Sequence, residues 1–169
     1  MFATELSPAP EVGLVAQIGE LAAKAVRVDA RLVADSDLMA LTLEITKARR
    51  ALDATEAHAL AELDVRGAAE IAAGMRTGAW LAREAHEPVA AARHRVRVAR
   101  AVRALLPFVD DAFTEGRISF EHVRVFVEIA NQRIAPAIAE LAPSLVDLAE
   151  GHVVRTVGTR GSRSGMPAR

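Results

Sequence analysis

Several residue types that carry chemistry or cross-links are scarce or missing in this 169-residue chain. There is no cysteine, which excludes disulfides, Cys-ligated zinc and a thiol nucleophile. There is no tyrosine, the only tryptophan is Trp80, and aromatic residues make up 4% of the sequence. The apolar residues are mostly Ala, Val and Leu. Because Ala and Leu favour helices, this composition predicts an α-helical protein rather than a β-protein.

Long apolar runs and targeting signals are also missing. No stretch of about eighteen apolar residues occurs, so a membrane-spanning helix is not expected. The N-terminal sequence MFATELSPAP has no basic region followed by an apolar run, as a signal peptide would have. These features predict a cytoplasmic protein with no membrane contact.

The spacing of apolar residues predicts two N-terminal helices. The first runs from Val12 to about Leu32. A long second helix follows an N-cap offered by Asp35, Ser36 or Asp37, and Gly67 ends it. Its apolar positions recur in steps of three and four, and we call this set the apolar seam: Leu38, Leu41, Ile45, Ala48, Leu52, Thr55, Ala59 and Leu63. A seam this regular predicts a partner helix, either the first helix or a second chain.

The rest of the sequence predicts shorter helices. Thr77 caps a short helix carrying Trp80, and Pro88 begins a helix that Pro107 stops after Leu106. Further helices are expected over 108–115, after a cap at Ser119, and over 135–152 with an interruption at Pro143. The predicted fold is all-α: a multi-helix bundle with one long helix and a helix-turn-helix-like pair. Residues 1–10 form a frayed lead-in, residues 11–153 the helical domain, and residues 154–169 a disordered tail rich in Arg, Gly and Ser.

Positive charge is concentrated in two places, although the formal net charge is only -1. Residues 90–106 contain five arginines and no acid, and residues 154–169 contain four arginines and no acid. At 100° per residue, Arg93, Arg97, Arg100 and Arg103 share a helical arc of about 120°, which we call the arginine face. Val98, Val102 and Leu105 lie roughly opposite, and Arg95, closer to the apolar side, must snorkel or pair.

The arginine face supports two interpretations. A short helix, a tight turn and a helix with one arginine face have the order of a helix-turn-helix, and the arginine fork suits phosphate oxygens or a guanine edge. The predicted turn, Ala85–Pro88, lacks the glycine that such turns often contain. The alternative is a solvated face, or pairing with the acidic segments on either side.

The stretch from Leu52 to Val153 carries several motifs in a recognisable order. These are LDVRGAAE at 63–70, WLA at 80–82, the arginine-rich ARHRVRVARAVRA at 92–104, and the turn formed by Gly116, Ile118, Ser119, Glu121 and His122. With them the chain resembles the actinobacterial family called domain of unknown function 222, or 13E12 repeat proteins. Longer members of that family resemble a two-part design, with this helical region followed by a C-terminal His-Asn-His nuclease-like domain.

The resemblance implies a non-catalytic module that normally precedes a nuclease-like domain. No pair of histidines around an asparagine occurs in this chain, so no residues are present to carry that chemistry. The break in composition after Val153 favours a truncation or a change of reading frame. Sequencing of the downstream DNA would contradict this if no nuclease-like frame followed in any register.

Other constellations do not predict an enzyme, a metal site or a cofactor. The five histidines, His58, His86, His94, His122 and His152, form no HxH or HxxxH pair. Asp110 and Asp111 are adjacent and so point to different faces of a helix. GTRGSRSG in the tail lacks the strand and lysine of a phosphate-binding loop.

Two functions therefore remain open at the level of the sequence. In the first, the arginine face (Arg93, Arg97, Arg100 and Arg103) contacts nucleic acid, with DNA as partner. In the second, the Leu38–Leu63 helix forms a homodimer and the arginines are merely solvated or paired.

Overall fold

The computed structural model describes residues 9–130 and 134–151, and in this part of the chain the regular elements are helices without a strand. The predicted all-α fold is confirmed. The helices are α1 (Pro10–Ala25), α2 (Asp35–Val65), α3 (Ala68–Ala73), α4 (Thr77–Glu84), α5 (Val89–Leu105), α6 (Pro107–Thr114), α7 (Phe120–Ile129) and α8 (Ala135–Glu150). A short 3₁₀ helix, Ala30–Leu32, lies between α1 and α2. Apart from Ala9 and Pro10, the predicted lead-in lies outside the described residues, as does the predicted tail.

The chain divides within α2, between Glu44 and Ile45, into two compact units. In the first unit, the helix predicted to reach Leu32 ends at Ala25. The Asp29 carboxylate accepts a hydrogen bond from the Arg31 backbone N–H at 3.1 Å and so starts the separate 3₁₀ turn. No residue of α1 is buried, and the apolar side chains of Leu14 and Leu21 are more than 60% exposed.

The long second helix is confirmed, and the face that it packs into the core of the second unit is not the apolar seam. It runs over 31 residues, and Gly67, with φ of 59°, follows its end in the left-handed conformation. The buried residues of α2 are Ala54, Ala57, Leu60 and Ala61. The apolar seam lies on the opposite side, where Ile45 is 49% exposed and Leu52 is 36% exposed. The small alanines, rather than the larger seam residues, therefore join the core of the second unit.

Helix α5 supplies the centre of the second unit because one side of it is made of small and β-branched apolar residues. Val98, Ala99 and Val102 on this helix are fully buried. It packs against α4, α6 and α7, and α6 packs in turn against α8. Phe113 of α6 is the largest fully buried side chain among the described residues. The centroid of its ring lies 6.4 Å from the centroid of the Phe120 ring.

Several predicted helix boundaries differ from the observed ones. Thr77 is the buried first residue of α4 rather than its cap, and Pro88 is the N-cap of α5 rather than its first residue. Pro143 lies inside α8 without interrupting it, because Ile138, Ala142 and Val146 bury one side of that helix on the core and offset the hydrogen bond lost at the proline. The cap at Ser119 is confirmed, and the Nδ1 of His122 accepts a hydrogen bond from the Ser119 backbone N–H at 3.2 Å. None of the described helices has the length and apolar character needed to span a membrane.

Candidate nucleic-acid interface

The arginine face lies on the solvent side of α5, in the helical arc that the sequence predicts. Arg93, Arg97, Arg100 and Arg103 are all exposed, while Val98 and Val102 on the opposite side are fully buried. At 1.5 Å per residue, the row from Arg93 to Arg103 is about 15 Å long. Burial of the apolar side thus orients the four guanidinium groups towards water.

The four arginines differ in their partners. Arg100 donates to the Asp64 carboxylate of α2 at 2.9 Å, and its side chain remains 58% exposed. Arg97 lies 2.8 Å from Nδ1 of His94, one turn earlier on the same helix. Among the described residues, no carboxylate is within ion-pair distance of Arg93, Arg97 or Arg103. Pairing with carboxylates of the described residues therefore neutralises only one of the four charges.

Several shallow depressions follow the arginine face. One of about 310 Å³ is lined by Arg97 and by Glu128 of α7, and two others lie where α5 meets the end of α2. The larger of these two, about 430 Å³, is lined by Arg93, Arg97 and Arg100 together with Asp64, and its apolar lining includes Val96 and Leu105. The smaller, about 190 Å³, is lined by Arg100 and Arg103 of α5 and by Glu62 and Val65 at the end of α2. Basic side chains over a partly apolar floor suit a bound anion, since the guanidinium groups can donate to its oxygens.

Arg95 does not belong to this face, as predicted, and it pairs inside the bundle. Its guanidinium group forms ion pairs with Glu56 of α2 and, at 3.1 Å, with Glu87 of the turn before α5. Burial opposes the charge of Arg95, but the hydrogen bonds that Arg95 donates to Glu56 and Glu87, together with the negative charges of these carboxylates, outweigh it and raise the pKa of Arg95. Arg95 thus joins α2, the turn and α5 through one side chain.

Away from the arginine face, a charged cavity that the sequence does not predict lies between α2, α5 and α7. Its volume is about 490 Å³, and its charged lining consists of Arg49, Arg50, Arg95, Asp53, Glu56 and Glu121. Arg50 also donates to the Gly116 carbonyl oxygen at 3.3 Å. Three basic and three acidic groups balance in this cavity, so it has no preference for anions comparable to that of the arginine face.

Asp53 in this cavity makes protein stability depend on pH. Burial, followed by the charge of Glu56, raises the pKa of the Asp53 carboxyl above 3.8. A raised pKa in the folded state means that the contribution of Asp53 to stability is largest below its unfolded pKa and is lost as pH rises through the folded value. We therefore expect Asp53→Asn to stabilise the protein at pH 7, by less than about 1 kcal/mol because the group is partly solvated.

Thermal melts at pH 4 and pH 7 check this expectation. The melting temperature of Asp53→Asn should exceed that of the unaltered protein at pH 7 by up to about 4 °C, and the difference should shrink at pH 4. Asp111→Asn, which neutralises an exposed carboxylate on α6, is the matched control. A gain that is the same at both pH values would contradict the assignment to Asp53 ionisation.

The described histidines do not form a common site, and hydrogen-bond partners are found for His58, His94 and His122. His58 of α2 lies 2.9 Å from the Asp110 carboxylate of α6, a pair 52 residues apart that local patterns do not reveal. Asp111, the residue after Asp110, is exposed, whereas Asp110 is half-buried, so the two aspartates point to different sides of α6 as expected. Within the described ranges, no group of three His, Asp or Glu side chains is placed to hold a metal ion. His152 lies outside the described residues.

Comparison with known proteins gives one match. The model of the family described as "Domain of unknown function (DUF222)" matches residues 39–152, which include the arginine face and the residues that line the depressions and the charged cavity. This match covers about two thirds of the chain. No curated protein and no solved structure matches.

Proposed function

We propose that this chain, which belongs to the DUF222 family, is a non-catalytic module that contacts nucleic acid through the arginine face of α5. One observation carries the proposal: Arg93, Arg97, Arg100 and Arg103 are exposed along one side of one helix, and only Arg100 has a carboxylate partner among the described residues. A solvated helix of a nearly neutral protein would more commonly mix both charge signs. A row of unneutralised guanidinium groups suits the phosphates of a nucleic acid backbone.

The salt dependence of binding tests this proposal. The protein is the full-length chain in which the four tail arginines are changed to glutamine, so that they add no phosphate contacts; these are Arg155, Arg160, Arg163 and Arg169. It is titrated into a fluorescent random-sequence duplex, with anisotropy measured from about 50 to 200 mM salt. Four arginine–phosphate contacts should give a log–log slope of about -3 to -4, or about a hundredfold loss of affinity across this range. No binding at about 50 mM salt would refute the proposal.

The exposed apolar seam favours a second candidate function, self-association through α2. Ile45 and Leu52 are large apolar residues left in water on the side of α2 opposite its buried alanines. Seam residues that repeat in steps of three and four can interlock with the same seam of a second copy. Association of this kind would pair two identical chains with or without nucleic acid.

Sedimentation equilibrium tests self-association. A dimer of this 18.0 kDa chain has a mass of about 36 kDa, and Ile45→Glu or Leu52→Glu should return it to the monomer mass. Ile71→Glu is the matched control, because Ile71 is an equally apolar side chain, 84% exposed, on α3. A monomer mass for the unaltered chain at high concentration would exclude this candidate.

A further inference from the structure

The connection between α4 and α5 is held in one geometry. The Ala85 N–H donates to the Leu81 carbonyl oxygen at 2.8 Å, and the Glu87 N–H donates to the Ala82 carbonyl oxygen at 3.1 Å. His86 between them takes a φ of 54°, in the left-handed region where His is more common than most residues. This is the hydrogen-bond pattern that closes many helices, and His86 takes the place of the glycine missing from the sequence of the turn.

Close packing at Gly78 and an ion pair of Arg95 also hold α4, the turn and α5 together. A Cβ on Gly78 of α4 would lie 2.8 Å from Cγ and 3.0 Å from Cα of Arg93, so the absence of a side chain at Gly78 lets α4 approach the α5 backbone. On the other side of α5, Arg95 holds Glu87 of the turn. Arg93 is therefore positioned by packing, while its exposed guanidinium group has no carboxylate partner among the described residues.

The N-terminal half of α5 differs from its C-terminal half. Val89 is 47% exposed, and Ala90, Arg93 and Arg97 are exposed. The first turn of α5 contains no acidic residue, and no side chain caps its N–H groups. Small side chains, a helix start without a side-chain cap and two arginines are therefore exposed at this end, and the carboxylate of the nearby Glu87 is paired with Arg95. In the C-terminal half, Arg100 is tied to Asp64.

We propose that α4 and α5 form a helix-turn-helix unit that places the N-terminal half of α5 in the major groove of duplex DNA. Arg93 then donates two hydrogen bonds to a guanine edge, and Val89 and Ala90 contact neighbouring bases. Arg97, Arg100 and Arg103, further along the helix, contact the phosphate backbone, and on duplexes that lack the preferred guanine Arg93 contacts a phosphate as well. This inference rests on the proposed function and adds the kind of nucleic acid, the groove and the residue that reads sequence.

Groove-blocking ligands test the docking geometry. The full-length chain bound to a fluorescent duplex is competed with methyl green, which occupies the major groove, and with netropsin, which occupies the minor groove. Displacement by methyl green but not by netropsin is expected. Displacement by netropsin alone, or a preference for single-stranded DNA, would overturn the inference while leaving nucleic-acid contact intact. Absence of any salt-dependent binding would instead remove the proposed function itself.

Selection of binding sites from a random duplex pool tests the role of Arg93. Arg93→Lys keeps the charge but loses the planar fork, so preference for guanine at one position should fall about tenfold while the salt slope is unchanged. Arg103→Lys is the matched control and should retain the preference of the unaltered chain. Equal preferences in all three proteins, or no enriched sequence in any of them, would overturn the assignment of Arg93 to base reading.

Discussion

Removing two cations from the arginine face is expected to weaken duplex binding about a hundredfold at about 50 mM salt. The comparison is made in the protein whose four tail arginines are changed to glutamine. The variant is Arg97→Gln/Arg103→Gln, which removes two exposed guanidinium groups without a carboxylate partner among the described residues. Each lost phosphate contact should make the log–log salt slope less steep by about 0.9, or about 1.8 for the pair. Anisotropy titrations from about 50 to 200 mM salt measure both quantities.

A matched control separates a specific face from net charge. Lys24→Gln/Arg27→Gln also removes two positive charges, from exposed positions before α2 that have no carboxylate partner among the described residues. It should leave the salt slope unchanged, because these residues are not on α5. If both double variants weaken binding equally, the protein binds through its overall charge, and the arginine face has no special role. Thermal melts of both variants verify that neither substitution unfolds the chain.

Arg95→Ala is expected to lower the free energy of unfolding by about 1–3 kcal/mol, the largest stability effect of any arginine on α5. It removes the one cation that pairs with both Glu56 and Glu87, and it leaves these two carboxylates without that partner beside an apolar core. The cost of breaking a fully buried pair is about 3–5 kcal/mol, and partial exposure of these three side chains reduces it. Urea unfolding, with an unchanged dependence on denaturant, measures the loss.

Arg100→Ala on the same helix is the control for this effect. Arg100 has a single carboxylate partner, Asp64, and its side chain is more exposed than that of Arg95. Its loss should therefore cost less than about 1 kcal/mol. Equal costs for the two variants would show that the Glu56–Arg95–Glu87 cluster adds nothing beyond an ordinary surface pair. Arg95→Met, which keeps an apolar stem, separates lost charge from lost packing.

Local sequence patterns predict much of the arginine face. On a helix, side chains three and four residues apart share a side, so the alternation of arginines with Val98 and Val102 predicts which residues face water. The same spacing predicts that Arg95 must snorkel or pair, because it falls near the apolar side. Both expectations agree with the observed burial and ion pairs. The role of the face in binding stays a prediction.

Patterns are less reliable where small residues make the contacts. The apolar seam of α2 contains the larger side chains and so dominates the periodicity, yet the buried side is built from Ala54, Ala57 and Ala61 around Leu60. Helices that pack closely need small residues at the contact. Because alanine is only weakly hydrophobic, a search for apolar periodicity gives such residues too little weight. Similarly, Pro143 predicts a helix break, but packing of α8 on the core outweighs the missing hydrogen bond.

By itself, the sequence determined the helical class, most of the helices and the outward direction of Arg93, Arg97, Arg100 and Arg103, because these follow from composition and from a repeat of 3.6 residues. Only the tertiary structure decided which carboxylates meet Arg95, that His86 closes α4 in a left-handed conformation, and that Asp53 and His58 gain neighbours from other helices. These contacts join residues far apart in the chain, or depend on how closely two helices approach. Helical periodicity carries no information about either.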